Sequence, residues 1–277
     1  MPDWIFGEFH RQFEIYSRFE ILLNDQHTPC HLLHFLPYYE VPPEVPMLST
    51  AYFTHQELEH ENSKLTQAFI DAGHVVTAAI CQAKKYCEVL QANDVSDVTQ
   101  IIPGVDLERF ALRPAQSKAR EKLIVGFVGQ LYDTTPRKNP QLLQRIAELP
   151  FVELRATLGK LSAEKLPAFY ADLDLIVSPS TIEGGPMALT EGLAVGVPSI
   201  AFQGVGVADE FSTGIIRVPF GDDDAFLRRL EVFWKEERQL YCDPDMMRTM
   251  RAQVEALTWE SFVRKHDEVW MRLLNQG

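Results

Sequence analysis

Two glutamates, Glu183 and Glu191, stand eight residues apart in a segment whose residue types suit the binding of an anionic or hydroxyl-rich ligand. The apolar run at 175–177 predicts a buried strand, and Pro186 predicts the start of a helix, because a proline in the first helical turn loses no hydrogen bond. Glu183 and the two glycines after it would then lie between the carboxyl end of a strand and the amino end of a helix. Open parallel sheets bind ligands there, because glycines admit a ligand to the backbone and free N–H groups attract anions.

The spacing leaves two interpretations of these glutamates open. In the first, helical periodicity carries Glu191 to the face of position 187, near the ligand end of the helix, where its carboxylate can accept two hydrogen bonds from a vicinal diol such as a ribose. In the second, Glu183 caps the helix and Glu191 is a solvated helical residue. The spacing alone does not separate the two, and the Gly-Gly-Pro sequence favours the ligand site.

Short apolar runs alternate with helical patterns along the chain, which predicts parallel sheets with crossover helices. A polar segment without an apolar period, 113–122, predicts a linker between the two halves. The chain is therefore predicted to be an α/β protein with two Rossmann-like lobes facing a cleft. The predicted strands are 31–36, 48–54, 75–80, 98–102, 123–128, 152–157, 173–177, 198–202 and 214–218, and the predicted helices are 3–23, 56–71, 83–91, 140–148, 162–170, 186–195, 222–235, 244–257 and 259–274.

Composition argues against several classes of function. The net charge is −13 over 277 residues and there is no basic cluster, whereas nucleic-acid binding needs a basic surface. None of the four cysteines forms a CxxC pair, which argues against a zinc ribbon or a thioredoxin-type motif. The sequence shows no secretory signal and no apolar run of about 20 residues, so a cytoplasmic location is predicted. A local patch could still dock on the inner face of the membrane.

The segment around the two glutamates resembles the signature of glycosyltransferase family 4, whose members are retaining enzymes with the GT-B fold. That signature is a Pro-Ser pair, a Glu-Gly followed at the eighth position by a second Glu, and Ala-x-Gly-x-Pro before an apolar strand. The resemblance implies that Glu183 contacts the transferred sugar and that Glu191 binds the ribose of a nucleotide. The matching residues are Pro179, Ser180, Glu183, Gly184, Glu191, Ala194, Gly196 and Pro198.

Two segments earlier in the chain extend the resemblance to the diphosphate of the donor. Residues 124–131 resemble the first strand and glycine loop of the family's C-terminal lobe, which implies that Gly129 lies beneath the diphosphate. The next residue is Gln130, where the family usually has an arginine. Arg137 and Lys138 resemble the family's Arg-Lys pair, whose lysine holds the pyrophosphate. Without the resemblance, a solvated basic pair would be the simpler interpretation.

His55, at the end of a predicted apolar strand, resembles the histidine that touches the donor sugar across the cleft in this family. A histidine whose hydrogen bonds are satisfied in the core is the alternative. His55, Glu57, Glu59, His60 and Glu61 together lack the His-Glu-x-x-His pattern of a zinc protease, so no metal is predicted there.

The resemblance also implies a layout in three parts. Residues 1–115 would form the acceptor-side lobe, 116–258 the lobe that binds the nucleotide sugar, and 259–277 a helix that crosses back to the first lobe. Family members usually begin with a strand and a glycine-rich loop, whereas this chain begins with a predicted helix. The first lobe is therefore expected to be shortened.

The activity implied is that of a retaining hexosyltransferase, which moves a hexosyl group from a UDP- or GDP-sugar to a saccharide or glycolipid acceptor without a metal ion or other cofactor. Two alternatives stay open. Gln130 and the short first lobe suggest a non-catalytic sugar-nucleotide-binding or scaffolding subunit, and an epimerase of the same fold would need acid–base residues that the sequence does not place. The implied catalytic residues are Glu183, His55 and Lys138, and the implied donor-binding residues are Gly129, Gln130, Arg137, Lys138, Gly184, Gly185, Pro186, Met187 and Glu191.

Overall fold

The computed structural model describes residues 5–22, 29–55, 67–114, 120–131 and 136–276. The chain forms two compact units, of which the first comprises residues 1–104 with 257–277 and the second comprises residues 105–256. The second unit begins at Val105, before the predicted linker. Arg113, the first residue of that linker, is bound within the unit: its N–H donates to the carbonyl of Val195 at 3.0 Å and its guanidinium donates to the carbonyl of Leu173. Within that predicted linker, residues 115–119 lie outside the described residues.

Strands and helices alternate as the sequence predicts, with ends that differ by a few residues. The strands are β1 (Leu33–Phe35), β2 (Ser49–Phe53), β3 (Ala78–Cys81), β4 (Val98–Gln100), β5 (Leu123–Phe127), β6 (Val152–Ala156), β7 (Leu175–Ser178), β8 (Ser199–Phe202) and β9 (Ile215–Val218). The α-helices are α1 (Ile5–Tyr16), α2 (Gln67–Val75), α3 (Lys84–Ala92), α4 (Pro140–Ala147), α5 (Leu166–Ala171), α6 (Met187–Val195), α7 (Asp223–Val232), α8 (Pro244–Ala252) and α9 (Trp259–Leu274).

Two helices end earlier than predicted, and just beyond each end the chain is hydrogen-bonded to residues that are distant in sequence. Helix α1 ends at Tyr16, and the hydroxyl of Ser17 and the N–H of Arg18 donate to Asp267 at 2.6 and 2.9 Å. Helix α8 ends at Ala252, and the amide of the next residue, Gln253, binds the backbone of residues 212–213. These ends are corrections of the predicted helices 3–23 and 244–257.

Two further predicted helices differ in other ways. The predicted helix 222–235 is α7 followed by a π-helical turn at Phe233–Glu237. Of the predicted helix 56–71, residues 56–66 lie outside the described residues, and α2 continues the pattern from Gln67 to Val75. The predicted strand 75–80 therefore begins later, at Ala78.

The first unit is built on a four-stranded parallel sheet in the order β1-β2-β3-β4. Helix α9 packs with α1 over this sheet, so the last helix of the chain returns to the first unit, as the fold prediction requires. Aromatic side chains fill the space between them, with Phe13 in ring contact with both Phe262 and Trp270. A lone short helix could not bury these rings, so packing against α9 holds α1 in place.

Two histidines lie inside this aromatic cluster. His34 Nδ1 is 2.8 Å from the hydroxyl of Thr50, which also accepts a hydrogen bond from the Trp270 indole at 3.0 Å. His266 Nδ1 donates to the carbonyl of Phe262 at 2.9 Å. Burial lowers the pKa of His34 well below its usual value and lowers the pKa of His266 to about 3. Both rings are therefore neutral in the folded first unit at neutral pH.

We expect the first unit to lose stability as the pH falls below about 6.5, the ordinary histidine pKa. The unfolded chain takes up protons on both histidines there, whereas the folded unit excludes them, so each histidine should cost about 2 kcal/mol of unfolding free energy at pH 5 relative to pH 7.5. Urea denaturation followed by circular dichroism across this range measures the effect. H266Q should show a shallower pH dependence, and equal slopes for the two proteins would contradict the prediction.

The second unit is built on a five-stranded parallel sheet in the order β6-β5-β7-β8-β9. Strand β5 continues to β6 on one side, whereas its other neighbour, β7, continues to β8 on the opposite side. The chain therefore leaves the carboxyl ends of β5 and β7 in opposite directions and opens a crevice between them. Crevices at such a topological switch point are where doubly wound sheets bind their ligands.

Candidate functional site

The loops that follow β5 and β7 carry most of the residues for which the sequence predicts chemistry. Gly129 and Gln130 follow β5, and Glu183 lies in the loop between β7 and α6. The two strands are hydrogen-bonded neighbours with Val125 opposite Leu175, so both loops leave the sheet at the same edge. The topology of the second unit therefore brings these segments to one place although they are about fifty residues apart in sequence.

Glu183 is bound by two cationic side chains. The ammonium group of Lys138 donates to Glu183 Oε1, and Arg137 Nη1 lies 3.5 Å from Glu183 Oε2. Arg137 also donates to the carbonyl of Ile182 at 3.3 Å. Glu183 is 7% exposed, so this carboxylate is held in low-dielectric surroundings where its charge is compensated by the cations. The structure thus joins three residues that the sequence assigns to the donor site.

The 3₁₀ turn at Pro136–Lys138 presents both cations. Its middle carbonyl, that of Arg137, accepts a hydrogen bond from the N–H of Thr181 at 2.8 Å. This bond ties the turn to the loop that carries Glu183, so the ion pairs do not depend on side chains alone. The pair at 137–138 is therefore not the solvated basic pair that the sequence left open, because the side chains of Arg137 and Lys138 are 16% and 12% exposed.

Gly129 lies beside the Lys138 ammonium group. A Cβ atom placed on Gly129 would be 3.7 Å from Lys138 Nζ, and the backbone φ of Gly129 is +155°. The N–H of Gly129 donates to the Thr157 hydroxyl at 3.1 Å. The side chain of the following residue, Gln130, lies against Gly159. A Cβ atom placed on Gly159 would be 3.5 Å from Gln130 Oε1. The glycine and the lysine could therefore contact the same anionic group.

Helix α6 starts after Gly184, Gly185 and Pro186. The helix begins at Met187, one residue after the predicted start, and Pro186 is its N-cap in extended conformation. Its carbonyl accepts the hydrogen bond of Leu189 N at 2.9 Å, as an N-cap carbonyl does. Gly184 is buried, whereas Gly185, Pro186 and Met187 are partly exposed. These four residues therefore lie where the sequence expects them, at the amino end of the helix that follows β7.

A second glycine loop, at 204–206, packs on the loop of Glu183. Gly206 has a left-handed backbone (φ +55°), and a Cβ atom there would lie 2.9 Å from the carbonyl oxygen of Gly184 and 3.1 Å from Pro186 Cδ. Gly204 is also left-handed (φ +74°), but a Cβ atom on it would meet nothing within 4 Å. Of these two glycines, only Gly206 lies so close to the backbone of the Glu183 loop that a side chain would collide with it.

We expect G206A to destabilise the second unit more than G204A does. Both substitutions place a side chain in the left-handed region, at a cost of about 1–2 kcal/mol. G206A adds a collision with backbone atoms, so its free energy of unfolding should fall by about 1–3 kcal/mol more than that of G204A. Chemical denaturation of the two variants measures this difference. Equal losses would show that the contact between the two loops is not tight.

Glu191 has different surroundings from Glu183. The Tyr170 hydroxyl donates to Glu191 Oε2 at 2.6 Å, and Tyr170 is fully buried with its ring edge-on to Phe110. Burial raises the pKa of Glu191, while the Tyr170 hydrogen bond opposes that rise. Glu191 is thus not the solvated helical residue of the second interpretation. Tyr170 was missed by the sequence reasoning, and a tyrosine at the end of an amphipathic helix gave no signal of this contact.

His55 follows β2 in the first unit. Its ring Nδ1 lies 3.3 Å from the hydroxyl of Thr54, and its side chain is partly exposed. A strand-end position for His55 is therefore as the sequence predicts, and its role toward a sugar stays a prediction.

The described residues contain neither a group of side chains that could hold a metal ion nor a helix that could span a membrane. Within these ranges, no three His, Cys, Asp or Glu side chains are grouped so that they could hold a metal ion. The histidine and glutamates at 57–61 lie outside the described residues. No helix in the described part of the chain is both long and apolar enough to cross a bilayer.

The two parallel sheets and the crevice residues define an α/β protein with the fold of the GT-B glycosyltransferases. Sucrose-phosphate synthase from Thermosynechococcus elongatus superposes with a TM-score of 0.70 at 16% identity, over 89% of this chain and 74% of that one. HepE of Anabaena, solved with UDP, superposes with a TM-score of 0.61 at 14% identity, over 82% of this chain and 72% of that one. The predicted fold class is confirmed by these likenesses.

Part of the chain matches a family model. Residues 155–248 match the model of glycosyl transferases group 1. A GDP-mannose-dependent alpha-mannosyltransferase from Corynebacterium glutamicum is 28% identical in an alignment 151 residues long, which covers 46% of this chain and 36% of that protein. The matched region is therefore little more than a third of the length of that relative. The family match at residues 155–248 includes Glu183 and Glu191 but not Arg137 and Lys138.

Proposed function

We propose that this protein is a retaining glycosyltransferase that moves a hexosyl group from a nucleoside-diphosphate sugar to a saccharide or glycolipid acceptor. The observation that carries the proposal is the cluster of Glu183, Lys138 and Arg137 at the switch point of the second sheet. The match of residues 155–248 to glycosyl transferases group 1 supports sugar transfer in general.

The cluster suits the charge that develops during sugar transfer. As the bond between the sugar C1 and the diphosphate breaks, negative charge accumulates on the leaving phosphate. Lys138, beside the backbone of Gly129, is placed to stabilise that charge, and Arg137 adds a second cation. Because the protein holds these groups in position before reaction, they lower the barrier without reorganising.

Retention needs the acceptor to attack from the face that the diphosphate leaves. In the proposed reaction, the acceptor oxygen bonds to C1 while the C1–phosphate bond breaks, and the acceptor proton passes to the departing phosphate oxygen. Glu183 would bind hydroxyl groups of the transferred sugar, and His55 is assigned to the same sugar by the resemblance alone. Glu191, held by Tyr170, would accept hydrogen bonds from the ribose. No metal ion or other cofactor takes part in this scheme.

The donor is proposed to carry uridine or guanosine. The Corynebacterium relative is named for GDP-mannose and the Anabaena structure contains UDP, so these two bases deserve the first tests. A cytoplasmic location, with contact at the inner face of the membrane where glycolipid acceptors lie, is part of the proposal. The net charge of −13 requires any such contact to be local.

Binding and turnover of labelled sugar nucleotides test the proposal directly. Calorimetry with UDP and GDP shows whether the chain binds a nucleoside diphosphate, and release of UDP or GDP from UDP-glucose, UDP-N-acetylglucosamine and GDP-mannose with a panel of saccharide and glycolipid acceptors measures transfer. Product anomeric configuration by NMR tests retention. Failure to bind either diphosphate would exclude the proposed function.

A second candidate, a sugar-nucleotide-binding or scaffolding subunit without turnover, is favoured by Gln130. An arginine usual in the family is replaced here by an amide that lies against Gly159. The loss of one charged contact to the diphosphate costs about 1.5–3 kcal/mol, which could leave binding without efficient chemistry. Nucleotide binding with no transfer across the whole acceptor panel would support this candidate over the enzyme.

A further inference from the structure

We propose that Asp223 is a positioning residue that acts through Asn139 and holds the turn of Arg137 and Lys138 in the geometry that binds a diphosphate. The inference rests on the proposed function. It assigns a role to a carboxylate of helix α7 that lies outside the cluster of Glu183.

Asn139 determines how the chain leaves the turn that carries the two cations. Its backbone is left-handed (φ +50°, ψ +62°), a conformation that asparagine tolerates better than most residues. Its N–H donates to the carbonyl of Pro136 at 2.7 Å, which closes the turn. Its side-chain oxygen accepts from Leu142 N at 3.2 Å and caps helix α4. One residue therefore fixes both the end of the turn and the start of the next helix.

Asp223 determines how the amide of Asn139 is oriented. Asn139 Nδ2 donates to Asp223 Oδ1 at 2.9 Å. Because the amide oxygen is used by Leu142, the nitrogen must face Asp223, and the carboxylate excludes the flipped amide. On the other side of the turn, Thr181 N binds the carbonyl of Arg137 at 2.8 Å. The turn is thus held by the loop of Glu183 on one side and by helix α7 on the other.

The three consecutive aspartates at the start of α7 have different partners. Asp222 caps the helix by accepting from Ala225 N at 2.8 Å, and Asp224 pairs with Arg145. Of the three, Asp223 is the residue that bonds Asn139, and its distance to Arg145 is 4.0 Å. Asp224 is therefore a matched control. It is a carboxylate of the same helical turn and contacts the same arginine, but it is not the residue to which the amide of Asn139 donates.

The direction in which the affinity for a diphosphate changes distinguishes a positioning role of Asp223 from an effect of its charge. Removing a carboxylate near an anion-binding turn favours an anionic ligand, because it removes Coulomb repulsion between two negative charges. If Asp223 acts only through its charge, D223A and D224A should both bind a nucleoside diphosphate slightly more tightly. Weaker binding in D223A alone requires that the geometry of Arg137 and Lys138 has been lost.

Calorimetry with UDP, GDP and the corresponding monophosphates tests the proposal on the full chain. D223A should bind the diphosphate about tenfold more weakly and the monophosphate nearly as well as the wild type, while D224A should change either affinity by less than about twofold. N139D, which places two carboxylates together, should show the same selective loss as D223A. The double variant N139D/D223N restores a donor and an acceptor with exchanged places, so it should recover diphosphate binding to within about threefold of the wild type.

Unchanged diphosphate affinity in D223A, equal losses for diphosphate and monophosphate, or no recovery in the double variant each overturns the proposal. The double variant also covers the case in which a single variant does not fold, which circular dichroism shows. A wild-type chain that binds no diphosphate overturns the proposed function and this inference together. A wild type that binds, with D223A behaving like D224A, overturns the inference alone.

Discussion

E183Q is expected to lower the rate of sugar transfer by about 10²–10³-fold, the loss typical of one group that stabilises the transition state. The substitution keeps the size of the side chain and removes its charge. Lys138 and Arg137 would then no longer pair with a carboxylate that competes with the diphosphate for their charge. Affinity for free UDP or GDP should therefore stay the same or rise while turnover falls.

A fall in the transfer rate without a fall in diphosphate affinity distinguishes a role of Glu183 in the reaction from a role in folding. Initial rates with a saturating donor, and calorimetry with the nucleoside diphosphate, provide the two measurements. E148Q is a matched control, because Glu148 lies at the exposed end of α4 and accepts a hydrogen bond from Gln144 at 3.1 Å. A parallel fall of affinity and rate in E183Q would mean that the carboxylate only supports the structure of the loop.

The alternation of strands and helices could be predicted from the sequence because it depends on local patterns. Each of the nine strands in the described residues was predicted, because most of them contain a short apolar run, and the proline and glycine positions around 184–186 gave the start of α6 to within one residue. The ends of α1 and α8 could not be found in this way. They depend on Asp267 and Gln253, side chains that reach the helix ends or neighbouring loops only after the fold is formed.

The contacts between the predicted site residues could not be predicted from the sequence. Glu183 and Lys138 were assigned to one donor, but 45 positions of sequence separate them and their direct ion pair follows from the strand order of the second sheet. The partner of Glu191 is Tyr170, and the partner of Asn139 is Asp223. Such pairs form where two neighbouring elements pack together. The periodicity and spacing within one segment therefore cannot predict them.

K138M is expected to weaken binding of UDP or GDP by about 10- to 100-fold, which corresponds to the loss of one hydrogen bond to a charged group. The affinity for the nucleoside monophosphate should change much less if Lys138 meets the second phosphate. Methionine preserves most of the apolar stem, so the packing beside Gly129 is retained while the charge is removed. Glu183 keeps Arg137 as a cationic neighbour, which should let the loop fold.

The transfer rate of K138M should fall further than its affinity, because charge on the diphosphate is greater in the transition state than in the bound donor. The ratio of losses in kcat and in diphosphate affinity measures that difference. K165M, which removes an exposed lysine before α5, controls for net charge. K138R should recover only part of the rate, since a planar guanidinium does not place its charge where the compact ammonium group does. If K138M loses monophosphate and diphosphate binding equally, Lys138 does not contact the second phosphate, and its pairing with Glu183 is then structural.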